Sequence, residues 1–318
     1  MKTILVSGAS GIVGYGILKS LKGLNYTLIG TTIYEDSAAP AFCDIFEIAP
    51  KTCEPNYMDW LTQIIKKYRV DMIIPGIEAD VAAWNEAREE LKKSETFALL
   101  NNPQLIELCA DKWLFYQKLK ENDFKYSIPT SINPEFTQFE LPFLLKPRRG
   151  FASKGIVKVE NKETFEKNKD KIGEIFMLQP IVGNNDEEYT VSAFFDRESV
   201  LKAYIALKRK LSSEGCTDRA ETVELYEAKT VIDELAKIFK PVGPTNFQFR
   251  KTRDGLKLLE INPRISSATS IRTAFGYNET LMSIEYFLDS KTIKQPAIKK
   301  GRAVRYTEDL IFYDSNNI

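Results

Sequence analysis

The chain has 318 residues, with 44 Lys and Arg against 44 Asp and Glu, no histidine and four cysteines. Zero net charge offers no general attraction for a nucleic-acid backbone or an anionic membrane. The missing histidine excludes Ser-His-Asp and Cys-His catalysis, imidazole metal sites and a histidine base, so any chemistry must use carboxylates, Lys, Arg, Tyr, thiols or a bound ion. The length predicts about two domains. Cys43, Cys53, Cys109 and Cys216 are far apart with no CxxC pair, which suits reduced thiols in a cytoplasmic protein. No apolar run reaches the ~18 residues of a membrane span.

In chain order, Lys2 to Ser7 is a compact apolar run suited to a strand buried on both faces. Gly8-Ala9-Ser10-Gly11-Ile12-Val13-Gly14 and a helical stretch from Tyr15 to Leu21 follow. Tyr26 to Thr31 and Val70 to Pro75 read as further strands. Tyr57, Trp60, Leu61, Ile64, Ile65 and Tyr68 share one face of a helix, and Ala79 to Leu91 forms another. Strands alternating with helices predict an α/β domain with a parallel, doubly wound, Rossmann-like sheet over 1–102.

From 103 the rhythm changes to an α+β pattern that runs to 318. A helical stretch reaches about Asn122, with Asp111 as an N-cap. Strands are expected at Phe143 to Lys146, Ile156 to Val159, Ile175 to Gln179, Tyr189 to Phe195 and Val200 to Leu207. Helices are expected at Lys162 to Lys171 and Glu221 to Phe239. Thr245 to Arg250 and Leu256 to Ile261 flank Asp254-Gly255, a hairpin turn.

The three glycines Gly8, Gly11 and Gly14 lie between a strand and a helix, where backbone N–H groups can meet a phosphate. That arrangement allows an NAD(P)-dependent dehydrogenase. However, Glu35 and Asp36 come late for a ribose-binding acid, and a Tyr-x-x-x-Lys pair is missing. A tight turn without a cofactor is the preferred reading.

The most specific constellation is the hairpin. Side chains alternate along a strand, so Asn246, Gln248 and Arg250 share a face, as do Glu260, Asn262 and Arg264; Phe247, Phe249, Leu259 and Ile261 are expected in the core. Hard oxygen donors with few charges suit Mg²⁺, with nucleotide phosphates completing the shell.

Gln248 with Glu260-Ile-Asn-Pro-Arg264-Ile-Ser-Ser resembles the metal-binding hairpin of the ATP-grasp superfamily, most of all its carbamoyl-phosphate synthetase large-subunit and biotin carboxylase versions. The resemblance implies a pre-ATP-grasp domain at 1–102 and an ATP-grasp domain at 103–318. Within the latter it implies a small nucleotide-binding subdomain at about 112–180 and a large metal-binding one at about 181–300. It also implies ATP and two Mg²⁺ ions, with Mn²⁺ as an acceptable substitute. Glu260 would bridge the ions, Gln248 and Asn262 would take one each, and Arg264 would reach the γ-phosphate or an acyl-phosphate.

Lys112 and Lys146 correspond to phosphate-binding lysines, and Gln179, Pro180 and Ile181 to the adenine-reading segment between subdomains. Glu188 corresponds to the carboxylate on the ribose hydroxyls. Arg148 to Gly155 occupies the place of the flap that closes over the phosphates, with only two glycines. Lys208 to Gly215 is read as a connection between elements. It is either a solvated loop or the place where Arg209 or Lys210 binds a carboxylate substrate; Arg272 is a further candidate anion contact. The activity implied is an ATP-dependent carboxylate–amine ligase working through an acyl-phosphate. Its partners are then small carboxylates and amines, not nucleic acid or membrane, and a second copy of the chain is a further candidate. A non-catalytic ATP-binding protein is the other alternative to the dehydrogenase.

Overall fold

The structure is a computed structural model that describes residues 1–150, 154–212 and 215–311. Its first part is a sheet of five parallel strands. In chain order these elements are β1 (Lys2–Val6), α1 (Ile12–Leu21), β2 (Tyr26–Thr32), β3 (Ile45–Ile48), α2 (Tyr57–Tyr68), β4 (Met72–Ile74), α3 (Glu78–Glu86), α4 (Arg88–Lys92) and β5 (Phe97–Ala98). The strand order is β3-β2-β1-β4-β5. Ile4 and Val6 pack with Ile17, Leu18 and Leu21 of α1 on one face, and Leu5 packs with Leu61 and Ile65 of α2 on the other. An unbroken apolar run is what a strand covered on both faces requires. β3 and β5 were not expected: one has a charged residue at Glu47, the other only two residues. The helix expected at Ala79 to Leu91 divides at Ala87 into α3 and α4.

The predicted helix to Asn122 also divides, into α5 (Pro103–Ala110) and α6 (Lys112–Glu121). Asp111 between them has extended backbone and caps α6, its Oδ1 accepting from the Trp113 N–H at 2.9 Å. Next come β6 (Phe143–Pro147), β7 (Val157–Val159), α7 (Lys162–Glu166) and β8 (Phe176–Pro180). The strands form an antiparallel sheet in the order β7-β6-β8 over a core of Phe143, Leu145, Val159, Phe165 and Leu178.

The remainder comprises β9 (Glu188–Phe195), β10 (Leu201–Leu211), β11 (Thr217–Thr222), α8 (Tyr226–Phe239), β12 (Gly243–Thr252), β13 (Gly255–Asn262), α9 (Thr269–Ala274), α10 (Glu279–Phe287) and β14 (Arg302–Val304). Its strands form an antiparallel sheet in the order β13-β12-β9-β10-β11-β14. α8 covers one face, where Val231, Ile232 and Leu235 meet Val191, Phe247 and Phe249. Part of the other face packs on α9 and α10 through Phe194, Ile205 and Leu207.

Two expectations about this sheet are corrected. The stretch from Lys208 to Leu211 is the end of β10, not a connection, and is paired with β11 through Arg209 and Ala220. β11 occupies the start of the predicted helix at Glu221 to Phe239. It was hidden by the charges Asp218, Arg219 and Glu221, which alternate along a narrow strand.

α9 and α10 return to the first sheet. Ile265 and Ile284 are buried in the same cluster as Ile4 and Ile17, so the C-terminal helices complete the cover of the N-terminal sheet.

Candidate active site

Three strands of the large sheet build one polar face. In the register, Thr190 of β9, Gln248 of β12 and Glu260 of β13 form a row, and Ser192, Asn246 and Asn262 form the next. Glu188 lies opposite Arg250 in a third. The hairpin thus brings Gln248, Glu260 and Asn262 together. Asn262 Nδ2 donates to Glu260 Oε1 at 3.2 Å, which turns the Asn262 amide oxygen to other partners. Gln248 Oε1 accepts from Arg209 Nη2 at 2.6 Å.

One feature of the hairpin departs from simple alternation. Gln248 pairs with Glu260 but Phe249 pairs with Leu258, so β13 carries a bulge at Leu259. Leu258 and Ile261, three positions apart, are both buried, whereas Leu259, expected in the core, leaves it and lines the cleft. Without the bulge, Leu258 and Ile261 could not both face α8 while Glu260 and Asn262 face away.

Lys146 is the penultimate residue of β6 and Lys112 begins α6; with Met177, Gln179 and Ile128 they line a cleft that also reaches Leu259. Burial acts to raise the Glu260 carboxyl, but Lys146, Lys112, the Asn262 hydrogen bond and Arg209 outweigh it and hold the group below the usual carboxylate range. Burial lowers both lysines from the ordinary ammonium range, with Glu260 as the leading opposing effect. Lys146, Lys112 and Arg209 thus surround Glu260 with positive charge, and Asp111 and Glu78 lie close to Lys112.

The other predicted residues are distributed as follows. Glu188 is 6% exposed; its Oε1 accepts from Arg209 Nη2 at 2.8 Å and its Oε2 from Arg250 Nη2 at 3.0 Å. Gln179 is buried and donates from Nε2 to Thr130 Oγ1 at 3.0 Å; Pro180 is half-buried and Ile181 is exposed. Arg209 faces the cleft, but its neighbour Lys210 is exposed and, by strand alternation, on the opposite face. Arg264 lies at the end of the hairpin, paired with Glu78 at the start of α3, while its Nη1 donates to the Ile265 carbonyl at 2.8 Å.

Arg272 is not an anion contact. It is wholly buried between Glu279 and Ser266, and its guanidinium is taken up by them.

Two groups were underread in the sequence. Asp111 is more than a cap: its Oδ2 accepts from Arg148 Nη2 at 2.7 Å and pairs with Arg149. Lys112 Nζ donates to the Gly150 carbonyl at 2.7 Å, so the entrance of the flap is tied to the start of α6. Flap closure itself concerns Phe151 to Ser153, which lie outside the described residues, as do Ser213 and Glu214 of the predicted connection. Arg250 was recognised only as sharing a face with Gln248; its partner lies on a strand whose neighbourhood the sequence does not disclose.

Residues 174–310 match the family model described as ATP-grasp in the biosynthetic pathway with Ter operon. That stretch of the chain is similar to the ATP-grasp family. Residues 8–99 match a second model, the PylC-like N-terminal domain. No curated protein matches the chain.

Among solved structures, the fold is similar to that of the N5-carboxyaminoimidazole synthetase of Staphylococcus aureus in complex with ADP. That likeness has a TM-score of 0.74 at 16% identity, over 93% of this chain and 80% of that one. It is also similar to the biotin carboxylase domain dimer of Hydrogenobacter thermophilus 2-oxoglutarate carboxylase, with MgADP and bicarbonate. Here the TM-score is 0.74 at 15% identity, over 95% of this chain and 73% of that one. The biotin carboxylase of Campylobacter jejuni gives 0.70 at 16%, over 89% and 70%.

The dehydrogenase alternative finds no support in either family model or in these neighbours. Packing accounts for its glycines: a Cβ on Gly14 would collide with the Gly8 carbonyl, and Gly8 itself has φ +58°.

Proposed function

We propose that this protein is an ATP-dependent carboxylate–amine ligase that proceeds through an acyl-phosphate. The observation that carries the reading is the set Gln248, Glu260 and Asn262 on one sheet face, with Glu260 kept ionised by Lys146 and Lys112. ADP accompanies the S. aureus and H. thermophilus neighbours, which supports ATP as the nucleotide here.

The donor set fits magnesium: one carboxylate and two amide oxygens are hard ligands. Among the described residues no three His, Cys, Asp or Glu side chains gather to hold a bare ion, so phosphates would complete the coordination. Gln248 and Glu260 would hold one ion and Glu260 and Asn262 a second, with Mn²⁺ tolerated by the same oxygens. Bound there, the ions neutralise charge on the transferred phosphoryl group.

Lys146 and Lys112 take the nucleotide phosphates, and the segment Gln179–Ile181 takes the base. Arg209 orients the acceptor carboxylate; Arg264, steadied by Glu78, meets the developing phosphate charge. Lys210 remains a candidate for the acceptor only as a surface contact. A carboxylate oxygen attacks the γ-phosphorus and the bond to the β-bridging oxygen breaks, giving an acyl-phosphate and ADP. An amine then attacks the acyl carbon; phosphate leaves with the bonding pair, and the amine proton passes to solvent. Positioning and electrostatics supply the rate, which suits a chain without histidine.

The partners are small carboxylates and amines in the cytoplasm; among the described residues no helix is long and apolar enough to cross a membrane. A homodimer is included in the proposal, since the H. thermophilus neighbour is one.

The test is an ADP-release screen over amino acids and small carboxylates, repeated with Glu260→Ala. We expect ADP release with at least one acid and amine pair and none from the variant. Unchanged turnover in the variant removes the site. Binding of ATP without ADP release by any pair favours the non-catalytic alternative.

A further inference from the structure

The segment between β8 and β9 links the three-stranded sheet to the large one; Lys208 of β10 pairs with its Glu187 at 2.6 Å, and a second side chain of the large sheet holds its start. Arg250 of β12 donates from Nη1 to the Val182 carbonyl at 3.3 Å and from Nη2 to Glu188 Oε2 at 3.0 Å. Its Nε is buried and has no hydrogen-bond partner. Gly183 turns at φ +59° directly over this side chain: a Cβ there would lie 2.9 Å from the Lys251 carbonyl and 3.0 Å from Arg250 Cγ. The link is therefore fitted to Arg250 twice, by hydrogen bonds from its fork and by close packing that only glycine permits.

We propose that Arg250 is a positioning residue for the nucleotide. It fixes the 181–183 link and the Glu188 carboxylate as one unit, and so sets the place of the groups that take the base and ribose. This rests on the ligase reading only in so far as the cleft binds a nucleotide. It needs no contact between Arg250 and the nucleotide.

Arg250 acts by pre-organisation. Gly183 to Asp186 in the link are exposed, and exposed backbone opens at low cost unless something pins it. A guanidinium that bridges a backbone carbonyl on the link and a buried carboxylate at the start of β9 removes that freedom before ligand arrives. Loss of either the fork or the close fit releases the same segment, so the two losses are one event.

The experiment is calorimetric titration of Mg·ADP into the full chain and into Arg250→Gln, Gly183→Ala and the double variant, with thermal melts of each. We expect each single variant to bind about tenfold more weakly, the loss of a charge-assisted hydrogen bond, and the double variant to bind no more weakly than either. Arg250→Gln that binds like the original overturns the proposal. So do losses that multiply in the double variant, because independent damage adds in free energy whereas a shared unit does not. Failure of the unaltered chain to bind Mg·ADP removes the nucleotide reading itself, and this proposal with it; the other two outcomes leave that reading standing.

Discussion

Asp111 is 3% exposed and serves α6 and the flap entrance together. Burial acts to raise its carboxyl, but Arg148, the Trp113 N–H and a second backbone hydrogen bond hold it below the usual range. A depressed carboxyl stabilises the fold fully above its unfolded value of about 3.9, and the contribution is lost as pH falls through the folded value. Asp111→Asn keeps a capping oxygen and loses the charge. It should cost about 2 kcal/mol at pH 7, with the gap to the unaltered chain closing as pH is lowered below 4; urea unfolding across pH measures it, and a pH-independent gap contradicts it. Lys146→Met should leave the melting temperature within a few degrees and weaken Mg·ADP binding about tenfold or more, the range for a charged hydrogen-bond donor. Calorimetry reads the affinity; an unaltered value takes Lys146 out of the cleft's function. That Glu260 and Asn262 share a face beside Gln248 was legible in the sequence because side chains alternate along a strand. Arg272 was misread because a lone Arg on a helix gives no sign that Glu279, seven residues on, will neutralise it in the core.

At the scale of elements, long apolar strands and the Asp-Gly turn were legible, and short or charged edge strands were not. β3, β5 and β14 owe their pairing to neighbours already in place, and no local pattern announces them. The bulge at Leu259 is invisible for a related reason: Leu258 and Leu259 are chemically alike, and only the register tells which is inside. The α9–α10 pair carries a sharper prediction. Arg272 and Glu279 are both fully buried, and Ser192 also donates to Glu279. Arg272→Met should destabilise by about 3–5 kcal/mol because it strands a buried carboxylate, while Arg272→Met with Glu279→Leu should recover much of that loss. Urea midpoints decide it. A double variant less stable than the single would show that the pair contributes more than its charges.

Across the whole molecule, the alternating pattern of the first hundred residues was read as a domain in its own right, and the boundary near residue 102 remains a proposal. The packing tells against independence: Ile265 and Ile284 are buried with α1 and the first strand, and the Asn278 side chain donates to the Ser20 carbonyl at 2.7 Å. Each such apolar side chain removed from water is worth about 1.5–3 kcal/mol. A fragment of residues 1–102 should therefore unfold without a sharp transition, and a cooperative melt in that fragment would contradict it. The same packing joins the sheets around the cleft, with Arg264 meeting Glu78 from across that boundary.

The central claim is that the β12–β13 hairpin grips a nucleotide through magnesium at Glu260. Titration of ADP into the chain with Mg²⁺, with the metal chelated, and into Glu260→Gln with Mg²⁺ tests it most directly. We expect binding in the first case and a loss of at least about tenfold in the other two. Equal affinity in all three would contradict it.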